Sequence, residues 1–203
     1  MTSSSVLFDE LPEDGRRARR HRSRDLVVDA LLDLLREGVI RPTAQQVAER
    51  SGVSLRSIFR IFDDVETLHT AATIRQMSLV RHLFVDVPAL GSLIERVASM
   101  VAINGRLYES VAPIRRAALR TAPESTPLQE QLRRVRGWLR AEIERVFAAE
   151  IGREERAGLA AALEALLSFE AWDQLRTAQE LSVEDAAAVL CLAVATLLGA
   201  PNR

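Results

Sequence analysis

Apolar residues recur every three to four positions along most of this 203-residue chain and nowhere alternate strictly with polar ones. The pattern therefore predicts helices and no sheet. Breakers divide it into about nine segments. The first helix opens at Asp25 and runs to Gly38. Thr43 caps the second, with Gln46 three residues on completing a capping box, and Val47 and Ala48 form its buried side. Gly52 supplies the sharp turn that only glycine takes without steric cost. Ser54 caps a third helix, which buries Ile58 and Phe62 four residues apart. A fourth helix covers residues 65–84, capped by Asp63 or Asp64, and Val87, Pro88 and Gly91 end it. A fifth covers 92–109, and a sixth covers 112–121 with Pro113 in its first turn. After a loop at 122–127, Thr126 caps the seventh, with Pro127 at its first position. Gly152 separates it from an eighth over 153–179. Ser182, with Asp185 three residues later, opens the ninth.

The second and third helices, joined by a tight turn, have the layout of a helix-turn-helix. The third leaves Leu55, Arg56, Ser57 and Arg60 facing outward, and a short helix offering Ser and Arg near its N-terminal end suits the DNA major groove.

Charge sharpens this picture. The whole chain is close to neutral at −1. Yet residues 16–60 hold 11 Arg against 5 acids, a local excess of +6 that leaves −7 for the rest. Residues 16–24 form a basic arm that includes Arg20, Arg22 and Arg24, and positive charge clustered beside a helix-turn-helix is a phosphate-binding footprint. All 27 basic residues are Arg, a composition that fits a GC-rich, bacterial genome.

The segment from Ser23 to Leu68 resembles the DNA-binding domain of the tetracycline-repressor (TetR) family. The likeness covers about a quarter of the chain. It takes in the helix from Asp25, the Thr43 to Ala48 helix, the Ser51-Gly52-Val53-Ser54 turn, the Ile58 to Phe62 segment and the Asp63 to Leu68 entry to the next helix. Phe169 to Arg176 is also similar to that family's penultimate helix. The resemblance implies that Thr43, Gln45, Ser54, Leu55, Arg56, Ser57, Phe59 and Arg60 contact DNA. Arg56 and Gln45 are then the candidates for base edges, and Thr43, Ser54 and Arg60 for phosphates. Two positions depart from the family pattern: Phe59 stands where Tyr is usual, and Val65 where Lys is usual, and both family residues typically touch phosphates.

The domain organisation read from the sequence is a tail at 1–15, a helix-turn-helix DNA-binding domain with its basic arm at 16–64, and a helical effector-binding and dimerisation domain at 65–203. In the ninth helix, Ala186 to Leu198 contains one residue that is not apolar, Thr196. Such a helix must be covered all round, and the run is shorter than the roughly 20 residues a bilayer requires. A second copy is the simplest cover. The eighth helix adds a stripe of Leu159, Leu163, Leu166 and Leu167, and the resemblance implies a homodimer through the eighth and ninth helices. On the fifth helix, Val97, Val101, Asn104 and Tyr108 share one face. An Asn among apolar neighbours either bonds locally or orients a ligand, and the resemblance implies a small-molecule effector bound nearby, here largely apolar.

Catalytic chemistry finds no constellation. The three His are dispersed, the single Cys supports neither a disulfide framework nor a zinc site, and no Gly-rich phosphate loop or nucleophile elbow occurs. The expectation is no enzyme and no cofactor. With no signal peptide at the N-terminus, it is also a cytoplasmic protein that does not enter membranes. The reading that follows is an all-α transcriptional regulator, a repressor released from a palindromic operator by its effector. The alternative is a helical dimer for ligand or protein binding that has lost its DNA contacts.

Overall fold

The computed structural model describes residues 15–152 and 158–199, so the tail expected at 1–15 lies almost wholly outside the described residues. The described residues are all-α. They divide into two compact units, Met1–Thr73 and Ile74–Arg203.

The first unit is a three-helix cluster followed by the start of a fourth helix. Helix α1 spans Gly15–Arg36, α2 Ala44–Ser51, α3 Leu55–Ile61 and α4 Val65–Val80. The first helix begins ten residues before Asp25, so the basic stretch is helical rather than a loose arm. Arg is a good helix former, and no Gly or Pro interrupts residues 16–36. Val27, Leu31 and Leu32 of α1 are almost completely buried. They pack with α2 and α3, whose own anchors are Val47, Ile58 and Phe62. Caps fix the helix starts where the sequence put them. Thr43 and Gln46 form the full capping box, Ser54 accepts from the Ser57 N–H, and Asp64, not Asp63, accepts from the Thr67 N–H at 2.6 Å. Gly52 closes α2 at φ 68°, ψ 10°, in the left-handed region where a side chain is strained.

The second unit is built around α5, Leu93–Thr121. It is one 29-residue helix where two were expected, with Pro113 inside it. Proline in a helix interior costs about 3 kcal/mol. Here that cost is outweighed by burial on both sides of the Pro, since Leu107, Tyr108, Ala112 and Ala117 all face the core. Around α5 lie α6 (Thr126–Val146), α7 (Ala148–Ile151), α8 (Leu159–Leu166), α9 (Phe169–Asp173) and α10 (Val183–Leu197). α5 packs against α10, α9 and α6, and α8 packs against α6, α9 and α10.

Other boundaries also move. α4 gives way at Arg81–Leu83 to a tighter turn, short of the expected residue 84. The chain must leave the helix axis to bring Val87 to α6, where Glu142 Oε1 accepts from the Val87 N–H at 2.7 Å and Arg145 donates to the Val87 carbonyl at 2.6 Å. Ser125, not Thr126, caps α6, because its extended backbone (φ −138°) makes it the last non-helical residue. α6 stops at Val146 instead of continuing toward Gly152. The helix expected over 153–179 is two pieces within the described residues, since Ser168 breaks it by accepting from the Ala171 N–H at 3.1 Å. Its continuation, Gln174–Ala178, is a π-helical turn. Ser182 caps α10 as expected.

Candidate nucleic-acid interface

In the first unit, α3 turns Ile58 and Phe62 inward and presents Leu55, Arg56, Phe59 and Arg60 outward. Leu55 is 36 % and Phe59 53 % exposed. The outward face has two adjoining stripes, each at i, i+4: an apolar one of Leu55 and Phe59, and a cationic one of Arg56 and Arg60. Both Arg56 and Arg60 are exposed.

The remaining candidates are held more tightly. Ser57 is half-buried rather than exposed, since the Ser54 hydroxyl both accepts its N–H at 3.3 Å and donates to its Oγ at 2.9 Å. Thr43 Oγ1 belongs to its capping box, donating to Gln46 Oε1 at 3.1 Å. Gln45 is exposed, and its Nε2 donates to Glu49 Oε1 at 2.8 Å. On α1, Arg20 and Arg22 are exposed. Arg24 lies 5.5 Å over the ring of Phe62, the residue that closes α3. That cation–π contact ties the basic stretch of α1 to the end of α3.

Arg50 forks onto Glu37, Nη1 to Oε1 at 2.8 Å and Nη2 to Oε2 at 2.7 Å, joining the end of α1 to α2. The hydrogen bond from Arg50 holds the Glu37 carboxyl below its ordinary range. No periodicity signals a partner 13 residues away, and the pair commits one of the eleven Arg counted toward phosphate binding.

In the second unit, Val97, Val101, Asn104 and Tyr108 lie on one buried face of α5, each at most 7 % exposed. The Tyr108 hydroxyl donates to the Leu167 carbonyl at 2.6 Å, and burial pushes its phenol well above the usual range. Asn104 Nδ2 is buried without a hydrogen-bond partner, and the one other such side-chain atom among the described residues is Arg115 Nε. The Arg115 guanidinium sits 5.8 Å over the Phe169 ring and 3.6 Å from Glu170. On α10, Ala186, Leu190 and Val194 face the core, while Val189 and Leu192 are 43 % and 64 % exposed. Cys191 is half-buried, and burial raises its thiol pKa. Among the described residues no group of His, Cys, Asp and Glu is arranged to hold a metal ion. No helix there is long and apolar enough to cross a membrane.

No protein-family model and no curated protein matches the chain. Solved structures do. A candidate transcriptional regulator of Streptomyces coelicolor A3(2) is 21 % identical with a TM-score of 0.62, covering 88 % of this chain and 99 % of its own. A transcriptional regulator of Rhodococcus sp. Rha1 is 19 % identical with a TM-score of 0.64, covering 88 % and 95 %. A candidate transcriptional regulator of Pseudomonas aeruginosa PAO1 is 18 % identical with a TM-score of 0.57, covering 98 % of both chains. These likenesses establish the fold, a helix-turn-helix unit followed by a helical unit, in chains of similar length.

Proposed function

We propose that this chain is a DNA-binding transcriptional regulator of the TetR type, a homodimeric repressor working in the bacterial cytoplasm. The observation that carries the reading is the outward face of α3. Arg56 and Arg60 stand exposed there on a helix whose start and turn are fixed by Ser54 and Gly52, and Arg20 and Arg22 are exposed on α1, which packs with α3. A guanidinium fork fits the O6 and N7 acceptors of guanine, and the flanking cations suit phosphates. Arg56 and Gln45 take the base-edge role. Arg60, Thr43, Ser54 and the α1 arginines take the backbone.

Two further parts belong to the same reading. The exposed apolar side of α10 calls for a second copy, with the α8–α9 segment alongside, and two α3 helices about 34 Å apart would then read a palindrome. The buried, unpartnered amide nitrogen of Asn104 supports a small-molecule effector against α5, with Val97, Val101 and Tyr108 on the same buried face. α4 is shared in sequence by both units, so an effector that moves it would change DNA affinity. By linkage, that effector must prefer the DNA-free state by the same factor.

A second reading has an observation of its own. Phe59 and Val65, both about half exposed, offer no donor to phosphate, as expected of a dimeric ligand-binding or protein-binding module that has left DNA. Selection from a random duplex pool by the full-length protein separates the two. Enrichment of a palindromic sequence supports the regulator, and a pool that stays unenriched supports the module.

A further inference from the structure

The apolar stripe on α3 is unusual for a surface meant for a polyanion. Leu55 and Phe59 are the exposed large apolar side chains of this helix, and neither can hydrogen-bond to a phosphate or to a polar base edge. They are also not spare core, because Ile58 and Phe62 already fill the inward side of α3 at 2 % and 1 % exposure. The neighbouring stripe of Arg56 and Arg60, with Arg20 and Arg22 on α1, selects an anionic partner over an apolar protein surface. Duplex DNA carries one apolar group on the floor of its major groove, the C5-methyl of thymine.

We propose that Phe59, with Leu55 beside it, reads a thymine methyl in each half-site of the operator. The inference rests on the regulator reading above and adds a base to it. Residues 56 and 59 are three positions apart, about 4.5 Å along the helix axis. The thymine therefore lies within about two base pairs of the base read by Arg56, since successive bases on a strand are about 3.4 Å apart. Specificity in the half-site then has two chemically distinct parts: a hydrogen-bonded purine under Arg56 and a methyl group under Phe59.

The test uses the full-length protein and the duplexes it enriches from a random pool. Each thymine of a half-site is replaced in turn by deoxyuridine, which removes the methyl and leaves every hydrogen-bonding group in place. One position per half-site is expected to weaken binding about fourfold, the effect of exposing one methyl-sized group. Replacing it in both half-sites should weaken binding about sixteenfold. In Phe59→Ala the same replacement is expected to have no effect. Phe59 is half exposed, so this variant folds, and a thermal melt alongside the wild type verifies it. Equal affinity for thymine and deoxyuridine at every position overturns the inference while leaving the regulator reading intact. So does a penalty that persists unchanged in Phe59→Ala. A pool that yields no duplex overturns the regulator reading and this inference together.

Discussion

The Cβ that Gly105 lacks would stand 2.8 Å from Cη2 of the Trp172 ring. The indole of Trp172 lies where α5 and α9 meet, and its Nε1 donates to Glu109 Oε1 at 2.7 Å. Glu109 also accepts from Arg176 Nε at 2.9 Å, so the ring cannot slide aside without loosening both bonds. Gly105→Ala should therefore destabilise the protein. Alanine gains roughly 1 kcal/mol of helix propensity, while overpacking a core costs about 1–3 kcal/mol. Urea unfolding should show a lower midpoint, and a higher midpoint would mean that α9 yields freely.

The Val87 clamp gives a pH dependence. Burial works to raise the Glu142 carboxyl, but its hydrogen bonds from Arg145 and from the Val87 N–H outweigh burial and hold it below the ordinary value of 4.5. The folded state thus holds this proton more weakly than the unfolded one. The clamp stabilises the fold above about pH 4.5, and the benefit is lost as pH falls toward the folded pKa. Glu142→Gln should cost about 1.5–3 kcal/mol at pH 7, the worth of hydrogen bonds to a charged group. The difference from wild type should shrink in melts taken below pH 4.5. A gap that is constant with pH would remove the charge from this account.

Asn104→Leu replaces a buried amide that lacks one hydrogen-bond partner. Leaving such a group unsatisfied costs about 1–3 kcal/mol, so the variant should melt higher than wild type without a ligand. It should also lose response to an effector found by thermal-shift screening while keeping operator affinity. A lower melting temperature would make Asn104 a folding residue, and the effector site would move elsewhere.

The exposed side of α10 predicts the assembly. Leu192 is 64 % exposed in a single chain, so Leu192→Arg should leave helicity unchanged and convert a sedimenting dimer to monomer by placing unpaired charge in the interface. A wild-type monomer at micromolar concentration would contradict the homodimer.

Much of the fold was legible because caps are local. Thr43 with Gln46, Gly52, Ser54 and Ser182 with Asp185 each act within four residues, and each sits where the sequence placed it. Long-range contacts were not legible. The turn after α4 depends on Val87 reaching Glu142, 55 residues away. The continuity of α5 past Pro113 depends on burial that no local signal reports. The basic stretch read as an arm is helical because nothing after Gly15 stops α1. On α3 the pattern located the outward face, with Ser57 the exception, since its hydroxyl is turned to Ser54. The Arg50–Glu37 fork and the Arg24–Phe62 contact had no signal in the sequence.

In the proposed function, α3 reads DNA through Arg56. A competition titration of the wild type and Arg56→Ala on the enriched duplex and on a scrambled one, at fixed salt, tests this. The wild type should prefer the enriched duplex by on the order of a thousandfold or more. Arg56→Ala should lose about 1–3 kcal/mol of that preference, confined to one base pair in each half-site. Equal affinity of the wild type for both duplexes, or an Arg56→Ala variant that discriminates as well as the wild type, would contradict it.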